Sequence, residues 1–307
     1  MSVRFSICIC TFNRAESLRQ TLASLATFED VTWYGNELLI VDNNCTDHTR
    51  AVIERYRSQL PIRLVRETTQ GLSHARNRAV REALGEVIVF TDDDVRLDSG
   101  WLAAIHRAFE TFPQATYFGG RILPEWQGKP PRWFRGERLV LIDGLLVWFD
   151  LGGDTRPMAF NDPIPFGASF GFRRTLFDTI GDFRADLGVR GKSVGRGEET
   201  EFLSRARVGG ATGLYIGEAL CWHKVNPARL QVAGLCRYGI ESGRSFALIQ
   251  GRLHKAALYR VPIHIARGLG QLLKGRGDRF RQCVINAGIE IGIYQVRRSS
   301  AANDVRK

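Results

Sequence analysis

The chain has 307 residues, 44% of them hydrophobic and 24% charged, with a formal net charge of +11. This length and apolar share support one large core or a core with a smaller appendage, and exclude a disordered chain. Its six cysteines (Cys8, Cys10, Cys45, Cys221, Cys236, Cys283) form no CxxC pair and no zinc-finger spacing, which argues against a disulfide framework or a structural zinc site and for buried free thiols.

No charged N-terminal segment followed by an apolar stretch and a cleavage site opens the sequence, so a cytoplasmic location is expected. Four apolar runs are each followed by a helical pattern: "RFSICIC" by "RAESLRQTLASLATF", "ELLIVD" by "TDHTRAVIERYRSQL", "IRLVRE" by "GLSHARNRAVREALG", and "EVIVFTD" by "SGWLAAIHRAFETF". Strand–helix units in series predict an α/β fold with a mostly parallel sheet flanked by helices. The runs are continuous rather than alternating, as strands covered on both faces require.

Polar residues gather where these strands end: Thr11, Asn13 and Arg14; Asp42, Asn43 and Asn44; Glu67, Thr68 and Thr69; and Asp92, Asp93 and Asp94. Ligands of such sheets collect beyond the carboxyl ends of the strands. Some of these residues also suit helix caps, with Asp98 or Ser99 before Trp101 and Asn44 to Asp47 before the second helix as candidates. From Arg121 to Pro165 the regular pattern dissolves. Trp126, Trp133 and Trp148 in this stretch suit either a sugar-binding platform or packing beneath a long loop. "FGASFGFRRTLFDTIGDF" restores a strand and a helix, "GVRGKSVGRG" is a Gly-rich basic loop, and "GEETEFLSRARVGG" opens a helix with carboxylates, as the helix dipole favours.

The positive charge belongs to the end of the chain. Residues 1–225 carry 28 Lys and Arg against 28 Asp and Glu, whereas residues 226–307 carry 15 against 4. In that region Phe246, Ile249, Leu253, Ala256, Ile265, Leu269 and Leu272 recur at helical spacing, with Arg252, Lys255, Arg260, Arg267 and Lys274 between them. The pattern fits a helix lying on a membrane surface, or an ordinary helix with a solvated basic face. No uncharged apolar run approaches the roughly 20 residues that span a bilayer. Nucleic acid is not expected as a partner, because no recognisable nucleic-acid module accompanies the charge.

Aspartates beyond a strand end are hard oxygen ligands suited to Mg2+ or Mn2+, commonly shared with substrate phosphates. If the extended backbone persists, Asp92 and Asp94 share a face and Asp93 points away. In the later helix Glu198 and Glu201 share one side, while Glu199 lines up with Phe202, Leu203 and Ala206 on the packed side. A partly desolvated Glu199 would have a raised pKa and act as a general base; plain helix N-terminal charge is the alternative.

"SICICTFNR", "LLIVDNNCTD", "GLSHARNRA", "VIVFTDDDV", "PFGASFGFRR" and "GRGEETEF" resemble, in order and rough spacing, the motifs of the family 2 glycosyltransferases, inverting enzymes of the GT-A (Rossmann-like) fold. The resemblance covers roughly residues 4–225. It implies a GT-A domain over 1–225, with a nucleotide-binding half (1–120) and an acceptor or catalytic half (121–225), followed by a basic amphipathic helical region over 226–307. It further implies that Thr11, Asn13, Asp42 and Arg76 contact the nucleotide, that Asp92 and Asp93 face the ribose or metal waters, and that Asp94 holds Mn2+ or Mg2+. His223 matches a histidine that in some members helps hold the metal or diphosphate, and Arg196 and Lys192 could neutralise the departing diphosphate. The family's base is the second acid of a Glu-Asp pair; here that position is Glu199, a departure that leaves Glu198 as the fallback.

The implied reaction moves a sugar from a nucleoside-diphosphate donor, UDP favoured, to a hydroxyl of a glycan or lipid-linked glycan in surface polysaccharide biosynthesis. Peripheral contact with the inner face of the cell membrane through residues 240–280 is expected with it. Two other classes stay open: Mg2+-dependent nucleotidyl transfer, which needs a Gly-rich basic phosphate loop that "CTFNRAESL" lacks, and a non-catalytic membrane-surface protein using only the basic region.

Overall fold

The computed structural model describes residues 5–29, 33–131, 144–189, 195–250 and 257–304. The expected strand–helix units are present as β1 (Phe5–Thr11), α1 (Ala15–Leu25), β2 (Glu37–Asp42), α2 (Thr49–Tyr56), β3 (Ile62–Arg66), α3 (Leu72–Glu82) and β4 (Val87–Thr91). A short strand, β5 (Val95–Leu97), intervenes before α4 (Trp101–Thr111). Then come β6 (Tyr117–Trp126), β7 (Arg156–Pro157), β8 (Ser169–Arg173), α5 (Arg174–Ile180), α6 (Glu198–Val208) and β9 (Gly213–Val225). Three helices follow: α7 (Val232–Gln250), α8 (Ala257–Leu273) and α9 (Gly277–Asp304).

The sheet order is β3-β2-β1-β4-β8-β6-β9-β5, with β7 beside β9. β3, β2, β1 and β4 are parallel, and β8 joins β4 antiparallel. In-register pairs such as Thr11 with Asp42 and Ile9 with Thr91 bring the polar residues that follow each strand to one edge. The apolar runs pack as two layers, one on each face of the sheet: Ile7, Ile9, Leu38, Ile40, Val87 and Val89 on one side, and Cys8, Leu39, Val41, Ile88 and Phe90 on the other. This two-sided burial is why the sequence shows runs instead of alternation. The second layer is built of rings, with Phe90, Phe170, Phe172, Phe177, Phe183 and Phe202 stacked or tilted against one another.

Asp47, among the residues expected to cap the second helix, accepts from the Thr49 amide (3.1 Å), and it also accepts from the Ala15 amide at the start of α1 (3.1 Å). Asp98 accepts from the Gly100 amide at 2.9 Å, just before α4. All six cysteines are free; Cys8 and Cys221 are buried and the other four are half-buried.

The chain divides into two compact units. One comprises Met1–Glu125, Val147–Asp186 and Glu198–Lys224, and holds the sheet; the other comprises Trp126–Leu146, Leu187–Gly197 and Val225–Lys307. In the second unit α7 and α9 meet backbone to backbone. A β-carbon at Gly243 would lie 2.0 Å from the Ile289 carbonyl oxygen, and one at Gly292 would lie 2.0 Å from that of Ile240. Only glycine permits so close an approach. Of the three tryptophans flagged in the irregular stretch, Trp126 and Trp148 are half-buried, and Trp133 lies outside the described residues, as does Lys192.

Candidate active site

The carboxyl end of β4 forms the floor of the site. Asp93 is buried and held from two sides: the Thr11 hydroxyl at the end of β1 donates to it at 2.7 Å, and Arg14 donates at 2.7 Å. The other arm of Arg14 reaches Asp94 at 2.6 Å. Arg14 therefore spans two adjacent carboxylates that would otherwise repel. Burial pushes Asp93 up to about 6 despite the opposing pull of Arg14 and the Thr11 hydroxyl.

Pairing at the far edge of the sheet brings in a third group. β5 runs antiparallel to β9, with Val95 opposite His223. The Lys224 amide donates to the Asp94 carbonyl at 3.1 Å, and His223 Nε2 lies 3.5 Å from Asp94 Oδ1. One ligand atom each from Asp92, Asp94 and His223 falls within 4.8 Å of the others. Asp93 takes no part, being held by Thr11 and Arg14; Asp93 and Asp94 lie in a turn between β4 and β5, so the extended backbone on which the expected alternation rests does not persist through the triplet. Two carboxylate oxygens and an imidazole nitrogen suit a borderline-hard divalent cation such as Mn2+, and a Mg2+ site of one or two carboxylates is also served. Asp92, with 31% of its side chain exposed, is the most open of the three aspartates. Desolvation and the neighbouring Asp94 push it up to about 7.

Arg76, on α3, is the second organising cation. Its side chain is 3% exposed and lies among the rings of Phe90, Phe170 and Phe183. From there it reaches Glu198 at 2.7 Å, Glu199 at 3.6 Å and Asp92 at 3.8 Å. Gly167 makes room for it, since a β-carbon there would be 2.4 Å from Arg76 Nη2. The pattern of Phe202, Leu203 and Ala206 points to Glu199 as the inward residue of α6. Instead Glu198 is the deeper of the two, at 4% side-chain exposure against 15%. The reason is electrostatic: the buried guanidinium draws in the carboxylate that can reach it directly. Burial, then repulsion from Glu199, pushes Glu198 up to about 8. Glu201 is also buried and is satisfied within the helix by Arg205 at 2.7 Å.

Asp92, Asp93, Asp94, Glu198 and Glu199 thus face the guanidinium groups of Arg14 and Arg76. Five carboxylates exceed two guanidiniums, and a divalent cation or retained protons must balance the remainder.

Beside this floor, Asp42 is fully buried and accepts from the Cys45 amide at 2.7 Å and Arg50 at 2.9 Å. Burial works to raise its pKa, but these donors hold it below the usual carboxylate range. Asn13, at φ 51°, accepts from the Thr46 amide at 2.7 Å and so ties the ends of β1 and β2 together. Arg196 belongs to the second unit, where it lies 4.4 Å from the Tyr238 ring centroid and donates to the Gly144 carbonyl at 3.1 Å. The structure brings together Thr11, Arg76, Asp92, Asp93, Asp94, Glu198, Glu199 and His223, with Asn13 and Asp42 at adjoining strand ends.

Sequence reasoning left Arg14 without a role. The signal was an arginine three residues beyond a strand end, opposite an uncompensated aspartate triplet. Arg76 was expected at the nucleotide, whereas its guanidinium is committed to the carboxylates.

The model of the family described as "Glycosyl transferase family 2" matches residues 6–181. Among relatives, the chain is 27% identical over 247 residues to the succinoglycan biosynthesis protein ExoM of Rhizobium meliloti, covering 80% of this chain and 74% of that one. It is 23% identical over 198 residues to the glucosyl-dolichyl phosphate glucuronosyltransferase of Haloferax volcanii, covering 62% of this chain and 58% of that protein's length. Among solved structures it is similar to the mannosyltransferase PcManGT of Pyrobaculum calidifontis in complex with GDP-Man and Mn2+, with a TM-score of 0.57 and 20% identity, covering 99% of this chain and 76% of that one.

Proposed function

The chain belongs to glycosyl transferase family 2 and has the GT-A fold, and from that premise we propose that it is a metal-dependent, inverting enzyme moving a sugar from a nucleoside-diphosphate donor to an acceptor hydroxyl. One observation carries the reading: the Asp92, Asp94 and His223 donor set adjoins a glutamate pair held by a buried arginine, all at the carboxyl edge of a parallel sheet.

Asp92, Asp94 and His223 would hold Mn2+ or Mg2+, which supplies charge neutralisation at the donor diphosphate. The manganese and GDP-mannose bound by the Pyrobaculum mannosyltransferase support this choice of metal and donor class. Asp42, Asn13 and Thr11 line the strand ends assigned to base and ribose. Glu198 is pinned by Arg76, whereas Glu199 keeps a more exposed carboxylate 3.6 Å from the same guanidinium. Glu199 is therefore the base. It takes the proton of the acceptor hydroxyl as that oxygen attacks the anomeric carbon, and the bond to the diphosphate breaks on the opposite face with its electron pair leaving on the diphosphate. Configuration inverts, and no enzyme nucleophile is required.

Residues 1–225 are assigned to the transferase domain and 226–307 to a basic accessory region. The acceptor is assigned to glycans or lipid-linked glycans of surface polysaccharide, supported by the dolichyl phosphate named in the Haloferax relative. Peripheral contact with the cytoplasmic membrane face through residues 240–280 accompanies it. Among the described residues no helix is long and apolar enough to cross a membrane.

The test is release of nucleoside diphosphate from UDP-, GDP- and dTDP-sugars with Mn2+, run alongside thermal-shift titrations. UDP-sugars are expected to stabilise and turn over best. Stronger stabilisation by free nucleoside triphosphates, with no sugar-dependent release, would mean nucleotidyl transfer instead.

A further inference from the structure

In the second unit, α8 contradicts the usual economy of a globular helix. Of the residues described from Tyr259 to Leu273, only Gly268 is buried, its backbone close to Phe280 and Cys283 of α9. Val261, His264 and Gln271, half-buried, lie on that same side at helical spacing. From the flank of that packed side round to the far side of the helix, Tyr259 (78% exposed), Ile265, Leu269, Leu272 and Leu273 (90% exposed) are turned outward. A contiguous apolar face of this kind marks an interaction surface.

Charge selects the occupant. From Ser242 to Gly277 the sequence contains no aspartate or glutamate but seven lysines and arginines. Between the apolar face and the side packed on α9, Arg260, His264 and Arg267 line a groove of about 480 Å³ together with Asn286, Ile289 and Glu290 of α9. Glu290 is the acid in this lining, and Arg260 reaches it at 3.4 Å. Two arginines against one carboxylate leave the groove cationic. In a two-fold contact between copies, Arg260, Arg267 and Lys274 of one chain would approach the same residues of the other. An anionic surface meets them with opposite charge.

We propose that α8 is the surface by which this protein lies on a bilayer containing anionic lipid, with its apolar face at the boundary of headgroups and acyl chains and the Arg260–Arg267 groove against lipid phosphates. The proposal rests on the peripheral-membrane part of the function above, and supplies the element and the lipid class. Helices that lie in the interface plane pair such an apolar face with arginines at headgroup depth. At 17 residues α8 is about 25 Å long, enough to lie along the surface but too short to span the core.

The experiment is cosedimentation of the full chain with vesicles of phosphatidylcholine alone or containing 30 mol% phosphatidylglycerol, with sedimentation velocity in their absence. Wild type is expected to partition at least tenfold more strongly onto the anionic vesicles. Leu269→Glu/Leu272→Glu is expected to reduce that binding at least tenfold, and Arg260→Gln/Arg267→Gln to erase the lipid preference. Unchanged thermal melts in both variants would show that the fold survives these exposed substitutions. If wild type binds but the glutamate variant binds equally well, the assignment to α8 falls and the peripheral reading stands. If wild type binds neither vesicle, both fall, whereas release of nucleoside diphosphate from the sugar donor in the presence of a soluble acceptor would leave the transferase reading intact. If wild type is a dimer that the glutamate variant dissociates, while vesicle binding persists or never occurs, the face belongs to a second copy and the proposal is overturned.

Discussion

Every residue of Glu37–Asp42 in β2 is buried, whereas α8 buries Gly268 alone among the residues from Tyr259 to Leu273 and turns Ile265, Leu269 and Leu272 to the outside. The charges differ as sharply. The sheet unit gathers five carboxylates around two guanidiniums, while residues 226–307 carry 15 basic residues against 4 acidic ones. In the sheet unit, apolar residues build the scaffold and charge is concentrated at one edge. In α8 the apolar residues are themselves the exposed feature. Substitutions in the first unit should therefore report on stability and chemistry, and those on the α8 face should leave both almost untouched.

The sharpest probe of the sheet edge is Glu199→Gln. It removes the proposed base while preserving shape, and loss of a general base slows transfer by about 10² to 10⁴-fold. Sugar transfer should fall by that amount while nucleotide affinity, measured by calorimetry, changes little. Transfer at the wild-type rate would move the base role elsewhere.

Arg76→Met should have the largest effect on folding. Above about pH 8, where Glu198 is ionised, it leaves that carboxylate buried without its cation, and breaking a buried pair on one side destabilises by about 3–5 kcal/mol. Urea unfolding should register this, and adding Glu198→Gln should recover part of the loss, because the double variant no longer buries an unpaired charge. A double variant no more stable than Arg76→Met would mean that Arg76 acts through the rings of Phe90, Phe170 and Phe183 instead.

Arg76 also marks where sequence reasoning stops. The four strand–helix units were legible because a strand covered on both faces needs an unbroken apolar run, and "ELLIVD" and "EVIVF" can hardly satisfy another environment. The aspartate triplet was legible because three adjacent anions demand compensation. Its compensators were not. Arg76 lies 122 residues from Glu198, and nothing within "LSHARNRAV" distinguishes a buried arginine from a solvated one. The order of Glu198 and Glu199 was misjudged for the same reason: helical periodicity assigns inward positions by hydrophobic neighbours, and here a distant charge decides. His223 reaches Asp94 through the antiparallel register of β5 on β9, a pairing that spacing alone does not encode.

The raised acids of the sheet edge give a pH signature. Asp92, Asp93 and Glu198 are pushed up to about 7, 6 and 8. Between the ordinary carboxylate range and these values, the folded chain holds protons that the unfolded chain has lost. Stability of the metal-free protein should then fall as pH rises from about 4.5 to 8, read as a falling Tm. A cation binding the ionised acids opposes that fall, so Mn2+ should raise Tm more at pH 8 than at pH 6. Equal Mn2+ shifts at the two pH values would separate cation binding from these carboxylates.

Arg14 tests the same edge more gently. Its guanidinium lies across Asp93 and Asp94, so a cation approaching Asp94 meets like charge. At partial exposure this is worth on the order of 1 kcal/mol, or about fivefold in affinity. Arg14→Gln should tighten Mn2+ binding by about that factor in the absence of nucleotide, as measured by paramagnetic resonance titration. Weaker binding would make Arg14 a support of the cation site instead of its competitor.

The smallest effect belongs to α8. Leu39 in β2 is fully buried and Leu269 is 54% exposed. Leu39→Ala leaves a cavity in the sheet's second layer and should cost about 2–5 kcal/mol in urea unfolding. Leu269→Ala removes no packed neighbour, and a surface change of this kind stays within about 0.5 kcal/mol. The two substitutions delete the same atoms, so the gap between them measures how differently the two regions use a leucine. A loss at Leu269 comparable to that at Leu39 would mean that its side chain is packed in solution, and the outward face of α8 would then be part of a core.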